Sequence, residues 1–284
     1  MTNVDMGRHW AGSASGWVEN EAIFDAIFAP VTRAILDAAD MSEGLRVLDV
    51  GCGTGTLLAA AGAAGAACVG VDISPGMVAA AAARVPAATV LLGDAQVMDL
   101  VVEAPGPPFD RVVSRFGVMF FADPVAAFTN LRRVAADGAR LVFACWRAFD
   151  ENQMFTLGTS VLAERLEPRP KPPEPNEPGP TAFADRDRLA GLLLDAGWAS
   201  VDIMPFDVTL DYGFDGADGV ETRLATVLSV TTGRTAYETL RPTLTHEAWA
   251  QLLDDVRAEL RRHLVDGAVK VPAALWLATA SKRS

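Results

Sequence analysis

The chain has 284 residues, 50% of them hydrophobic and 21% charged, enough for one large α/β domain with a generous core, or a core plus a lid. A formal net charge of -12, with no more than short basic pairs such as Arg132-Arg133 and Arg261-Arg262, argues against nucleic acid or an anionic membrane surface as partner. No apolar run reaches the roughly 20 residues that span a bilayer. Cys52, Cys68 and Cys145 are far apart and odd in number, so they suggest neither a metal site nor a disulfide framework. Met1 to Trp10 lacks the layout of a secretory signal, and together these features set the expectation of a cytoplasmic protein.

In chain order, residues 17 to 40 carry apolar side chains at helical spacing (Val18, Ile23, Phe24, Ile27, Phe28, Val31, Ile35, Leu36), with Pro30 marking a break or kink. Leu45 to Val50 is a short apolar run that ends at glycines and predicts a buried strand. Gly55 to Ala66 predicts a helix and Ala67 to Val71 a second strand. Pro75 to Arg84 predicts a helix, with Ser74 as N-cap and Pro75 at the first position. Ala88 to Leu92 is the third strand, Phe109 to Ser114 the fourth, Pro124 to Ala135 a helix and Ala139 to Trp146 the fifth strand. This alternation predicts a mostly parallel sheet with helices on both faces, whose ligand sits beyond the carboxyl ends of the strands, near the switch in strand order.

The pattern then changes. Pro168 to Pro180 holds seven prolines in thirteen residues, an extended connection or a flap. Asp185 to Ala196 predicts a helix ended by Gly197, Val201 to Tyr212 a long strand, and Trp249 to Leu264 a helix within a mostly helical stretch. Leu275 to Ala280 predicts the final strand. The organisation expected is a helical cap and core over 1–147, a Pro-rich insertion over 148–184, the remainder of the core over 185–212 and 271–284, and a helical lid over 213–270.

The chemistry-bearing signal is Asp49-Val50-Gly51-Cys52-Gly53-Thr54-Gly55, placed where a strand hands over to a helix. Glycines allow a tight turn and close approach to a ligand, and the helix that follows offers free N–H groups. Asp72 ends the second strand, where a carboxylate can accept both hydroxyls of an adenosine ribose. Asp94 ends the third strand, where it can accept from an adenine amino group. The dinucleotide fingerprint is G-x-G-x-x-G, but here the third glycine comes one residue early and position 56 is threonine. Asp49 would repel a pyrophosphate and suits a ligand ammonium group instead.

These segments resemble the class I S-adenosylmethionine (SAM)-dependent methyltransferases (methyltransferase type 11), in the branch related to ubiquinone and menaquinone biosynthesis. The resemblance is close over residues 44 to 147 and looser over 185–212 and 273–282. It rests on Asp49 to Gly55, on Val71-Asp72-Ile73-Ser74-Pro75-Gly76-Met77, on Gly93-Asp94-Ala95, and on Ser114-Arg115-Phe116-Gly117-Val118-Met119-Phe120-Phe121. It implies a Rossmann-like seven-stranded sheet with an antiparallel last strand, Leu275 to Ala280, paired beside Val201 to Tyr212. It implies cofactor contacts at Asp49, Gly51, Cys52, Gly53, Thr54, Gly55, Asp72, Ile73, Met77, Asp94, Ala95, Arg115 and Phe116, with S-adenosylhomocysteine as product. Ala136-Asp137-Gly138-Ala139 departs from the Pro-Gly-Gly often found before strand five.

Trp17 joins Trp10, Phe24, Phe28, Phe116, Phe120 and Phe121 as an aromatic group that could face a sulfonium, with Phe24, Phe28 and Met119 read as packing. His9, His246 and His263 are not assigned as bases, and no metal is expected. The function expected is methyl transfer to a small-molecule acceptor by a monomer or homodimer. Apolar Leu224, Val227, Leu228 and Val230 suggest a hydrophobic acceptor such as a quinone precursor or secondary metabolite. A SAM-binding cyclase or other non-methylating enzyme on the same fold stands as the alternative, ahead of a dinucleotide oxidoreductase and a non-catalytic SAM-binding protein.

Overall fold

The computed structural model describes residues 7, 10, 14–171, 173–174 and 176–283. His9 lies outside them. Residues 14–19 are helical, followed by α1 (Glu21–Ile27) and α2 (Ala29–Ala38). The break falls at Phe28 because Pro30 has no N–H to donate and is tolerated only in the first turn of α2. The core then alternates: β1 (Arg46–Val50), α3 (Thr56–Ala63), β2 (Ala67–Asp72), α4 (Pro75–Arg84), β3 (Thr89–Leu92), α5 (Leu100–Glu103), β4 (Phe109–Arg115), α6 (Pro124–Val134) and β5 (Ala135–Trp146). After α7 (Thr159–Ala163) come α8 (Arg186–Asp195) and β6 (Ala199–Asp211). A helical insertion of α9 (Val220–Ser229), α10 (Thr231–Leu240) and α11 (His246–Arg262) leads to β7 (Leu264–Val265) and β8 (Ala268–Ser281).

The sheet order is β3-β2-β1-β4-β5-β8-β6. The first five strands pair parallel, and β8 runs antiparallel to both β5 and β6. The antiparallel strand therefore lies beside the β6 segment, as the resemblance implied, but it is far longer than Leu275 to Ala280. Its first half holds Lys270 and Pro272, which interrupt the apolar pattern. Pro272 sits opposite Thr209 on β6, and proline is unusual in such a ladder because it donates nothing. The two residues of β7 pair with β8 as an eighth strand off the main path. Strand five also starts earlier than Ala139. Phe109 pairs with Ala135, then Arg111 with Arg140, so Ala136 to Ala139 bulge out of the ladder. Gly138, at φ +77°, makes that bulge possible.

The core is apolar on the buried strands: Val47, Leu48, Val112, Val113, Leu141, Val142 and Phe143 are at most 1% exposed. That continuous pattern is what a sheet covered on both faces requires. The helical insertion has its own packing, with α7 against α10 and α11, and α9 against α10, α11 and α1. Where the N-terminal helix meets the insertion, a Cβ added at Gly16 would lie 2.9 Å from the Ser229 carbonyl oxygen. Asn20 Nδ2 donates to Ser229 Oγ at 2.8 Å and Arg234 to Ser15 Oγ at 2.7 Å. This seam joins residues more than 200 positions apart in sequence.

Candidate active site

The strand order reverses between β1 and β4, and their carboxyl ends open one crevice there. The turn after β1 is held by Gly51 N and Cys52 N, both donating to the Val71 carbonyl. Gly51 has φ +66°, and a Cβ on it would lie 2.6 Å from Gly117 Cα. The β1 loop and the turn after β4 are thus in backbone contact that only glycine permits. Ser114 Oγ, fully buried, clips the two together by donating to the Val50 carbonyl at 2.7 Å and accepting from Gly117 N at 3.1 Å. Asp72 is oriented by Gly53 N on Oδ2 and Ser74 N on Oδ1, both at 2.9 Å. Asp94 Oδ1 accepts from Gln96 N at 2.9 Å, and its buried Oδ2 has no partner.

Asp49 is 1% exposed and neither of its carboxylate oxygens has a partner. Burial pushes its pKa up to about 8; the nearby Arg115 charge opposes that shift and Asp72 adds to it. A buried carboxylate left without a partner is costly. Burial likewise raises Asp72, against the hydrogen bonds from Ser74 and Gly53, and raises the Cys52 thiol well above its ordinary value. These orphaned acceptors are the fit test for the cofactor that the sequence motifs imply. Asp49 offers an acceptor for an ammonium group, Asp94 Oδ2 one for an amino group, and Asp72 keeps lone pairs for hydroxyls.

Arg115 is mostly enclosed, with 13% of its side chain exposed, and that burial pulls its pKa down while Asp25 and Asp49 pull it back. Its guanidinium donates to Thr32 Oγ1 at 2.8 Å and Thr56 Oγ1 at 3.2 Å, with Asp25 at 3.9 Å. Arg84 donates to Glu21 and to Asp25 at 2.8 and 2.5 Å. Thr56 donates to Asp25 at 2.5 Å. Helices α1, α2, α3 and α4 and the end of β4 are thereby tied by one polar network at the edge of the crevice.

The crevice opens into a cavity of about 820 Å³. Trp17, Asp49, Gly51, Cys52, Gly53, Thr54, Asp72, Ile73, Met77, Asp94, Ala95, Arg115 and Phe116 all line it. Gly55 does not. At φ +87° it is the N-cap of α3, and a Cβ on it would meet Ala81 of α4 at 3.3 Å, so this glycine serves helix packing. Leu224 and Val227 are buried within the helical insertion and Leu228 is half-buried, and none of them reaches the cavity; only Val230 of that group lines it. Phe24 and Phe28 are buried packing residues that also back its wall. His246 and His263 lie elsewhere.

Sequence reasoning missed Glu21, Asp25 and Thr56, and the wall from Trp146 through Phe149, Met154, Phe155, Thr156, Thr159 and Ser160. A signal for the first pair existed: Glu21 and Asp25 stand four apart on the helix that carries Phe24 and Phe28. Phe149, Met154 and Phe155 of the second group sit on short 3-10 turns, which leave no periodicity to read. Nine of the lining aromatics form one unbroken series of ring contacts. Phe120, Trp10, Trp17, Phe24, Phe28, Phe116, Trp146, Phe155 and Phe149 succeed one another with centroids 3.9 to 6.3 Å apart. Among the described residues, no group of three or more His, Cys, Asp or Glu could hold a metal ion, and no helix is long and apolar enough to cross a membrane.

The methyltransferase domain model matches residues 48–143. The demethylmenaquinone methyltransferase of Beutenbergia cavernae is 35% identical over 176 residues, 60% of this chain and 72% of that protein. The chain belongs to the SAM-dependent methyltransferases. The aklanonic acid methyltransferase DauC of a Streptomyces species is 36% identical over 122 residues, 41% of this methyltransferase and 54% of that one. Among solved structures, the YcgJ protein of Bacillus subtilis shares the fold at a TM-score of 0.55 and 16% identity, over 89% of this chain and 98% of that one. SAM is the cofactor, and the methyltransferase's matched segment contains β1 through β5, the part of the sheet that carries Asp49, Asp72, Asp94 and Arg115.

Proposed function

We propose that this methyltransferase transfers a methyl group to a small, hydrophobic aromatic acceptor, a quinone precursor or a secondary metabolite, in the cytoplasm. The observation that carries the reading is the series of nine aromatic rings around the cavity. Flat rings at stacking and edge-on spacing suit a flat apolar partner. The matched relatives named for demethylmenaquinone and aklanonic acid support the same class. That Cys52, Cys68 and Cys145 are all free and buried supports the reducing compartment.

Bound SAM supplies a sulfonium methyl group to a nucleophile lying in line with it. The chain's own residues hold the parts. Asp49 takes the ammonium group, Asp72 the ribose hydroxyls, and Asp94 Oδ2 the adenine amino group. Ile73, Met77 and Ala95 pack the adenosine, and Arg115 holds the polar network that shapes this end. Trp17 and Phe116 face the sulfonium side. The aromatic wall fixes the acceptor and excludes water, so alignment supplies most of the gain. Glu21 and Asp25 line the cavity but are engaged by Arg84, and no general base is assigned.

The test is transfer of radiolabelled methyl from SAM to a panel of naphthoquinols and anthraquinone phenols, set beside phosphoethanolamine and histamine. Turnover of the fused-ring acceptors supports the reading. Turnover restricted to the small polar amines sinks it.

A further inference from the structure

The helical insertion buries a cation beside the acceptor wall. Arg223 of α9 is 0% exposed. Its guanidinium donates to the carbonyl oxygens of Met154 at 2.7 Å and Leu157 at 2.8 Å, and to Tyr212 Oη at 3.0 Å and Thr226 Oγ1 at 3.3 Å. Its Nε has no partner, and it forms no ion pair with any carboxylate among the described residues. Every acceptor around it is neutral, so the charge is solvated by dipoles but not cancelled. A full positive charge buried without a counter-ion is costly, and buried charges are ordinarily paired. A neutral side chain able to bridge two carbonyls would staple the same turn at less cost.

What Arg223 staples is the acceptor wall. Met154 lines the cavity itself, and Leu157 leads into Thr159 and Ser160, which also line it. Thr159 is 5% exposed and its hydroxyl, also buried, has no partner. One wall thus combines an unanswered positive charge behind it and an unanswered hydrogen-bond donor on it. The carboxylates of the cavity do not supply the missing charge. Glu21 and Asp25 belong to Arg84 and Arg115, while Asp49, Asp72 and Asp94 stand at the strand ends. Lys171, Glu174 and Glu177 of the Pro-rich segment are exposed at the rim, where solvent screens them.

We infer that the acceptor is an aromatic acid whose carboxylate docks against the Thr159 wall, with Thr159 Oγ1 donating to it and the Arg223 cation behind that wall balancing its charge. This rests on the aromatic-acceptor reading above and adds the charge of the acceptor to it. Arg223 acts through the wall and is a positioning residue, while Thr159 touches the ligand. Buried opposite charges interact far more strongly than exposed ones because little water lies between them, so the preference for an anion should be measurable even in salt.

The experiment compares 1-hydroxy-2-naphthoate with its methyl ester, two probes that differ in charge at one group. Binding is read by quenching of tryptophan fluorescence in the full chain saturated with S-adenosylhomocysteine. Wild type should bind the acid about tenfold more tightly than the ester. Arg223→Gln, which keeps a donor but removes the charge, should abolish the preference, and Arg223→Lys should restore part of it. Thr159→Val should weaken the acid several-fold and leave the ester unchanged; this variant is read even if Arg223→Gln fails to fold. Equal binding of acid and ester by wild type overturns the inference, as does a preference that survives both Arg223→Gln and Thr159→Val. If neither probe binds, the aromatic-acceptor reading fails and this inference falls with it.

Discussion

Replacing Asp49 with asparagine should stabilise the cofactor-free protein while abolishing its cofactor binding. An unfolded aspartate ionises near pH 3.8, whereas burial holds the folded Asp49 proton up to about 8. Stability from this group is fully present below the lower value. It is lost as pH rises, because the unfolded chain can release a proton that the folded chain keeps. At 1.36 kcal/mol for each of about four pKa units, the loss reaches about 6 kcal/mol once the pH passes 8. An asparagine of the same shape carries no such term. For a chain of this size, roughly 2–4 °C in Tm per kcal/mol makes Asp49→Asn more stable than wild type by about 12–24 °C at pH 8.5 and nearly equal to it near pH 4. The assay is thermal unfolding from pH 4 to 9, with and without S-adenosylhomocysteine. Ligand should raise the wild-type Tm and leave the variant's unchanged. A stability gap that does not vary with pH, or a variant less stable than wild type at pH 8.5, would refute the assignment of Asp49 as a buried, unpartnered acid.

Three further outcomes follow from the geometry. Gly51→Ala should lower stability by about 2 kcal/mol or more, since it forces a Cβ onto the Gly117 backbone at positive φ; urea unfolding measures it, and a loss below ~0.5 kcal/mol would show that the two turns can part. Asp94→Asn should weaken S-adenosylhomocysteine by about tenfold but leave S-inosylhomocysteine, which lacks the amino group, unaffected; equal losses for both ligands would remove Asp94 from the adenine site. Trp146→Leu should raise the acceptor KM by about tenfold, with the Kd for S-adenosylhomocysteine moving less than twofold; calorimetry and steady-state kinetics separate the two, and a parallel loss of cofactor affinity would place the ring on the wrong side of the cavity.

The strand-end half of the cavity was readable from the chain because each of its parts closes or follows a strand. Asp49, Asp72, Asp94 and Arg115 follow or close apolar runs whose type is unambiguous, and alternation of strand and helix then brings the four to one edge of the sheet. Gly55 shows what a motif leaves out. It belongs to the same motif, but its constraint comes from Ala81 on a neighbouring helix, a contact with no local trace. The opposite, aromatic half was poorly readable. Trp146 reads as the end of a strand, Phe149 and Phe155 sit on turns without period, and nothing in the sequence sets Arg223 apart from the other arginines. Leu224 and Val227 were apolar for the sake of the insertion's own core. The start of β8 was hidden by Lys270 and Pro272, residues that a central strand rarely tolerates.

The seam between Gly16 and Ser229 bears on how the cavity wall is held together. Parting it breaks the hydrogen bonds from Asn20 and Arg234, while every strand pairing stays intact. Val230, Thr231 and Thr232, immediately beyond Ser229, line the cavity, so this stretch of the wall is held by side-chain contacts and not by strand pairing. Parting the seam would be a local opening, which costs less than unfolding. The two sides of the seam come from residues more than 200 positions apart, so two distant stretches of sequence must both be right for this part of the wall to close.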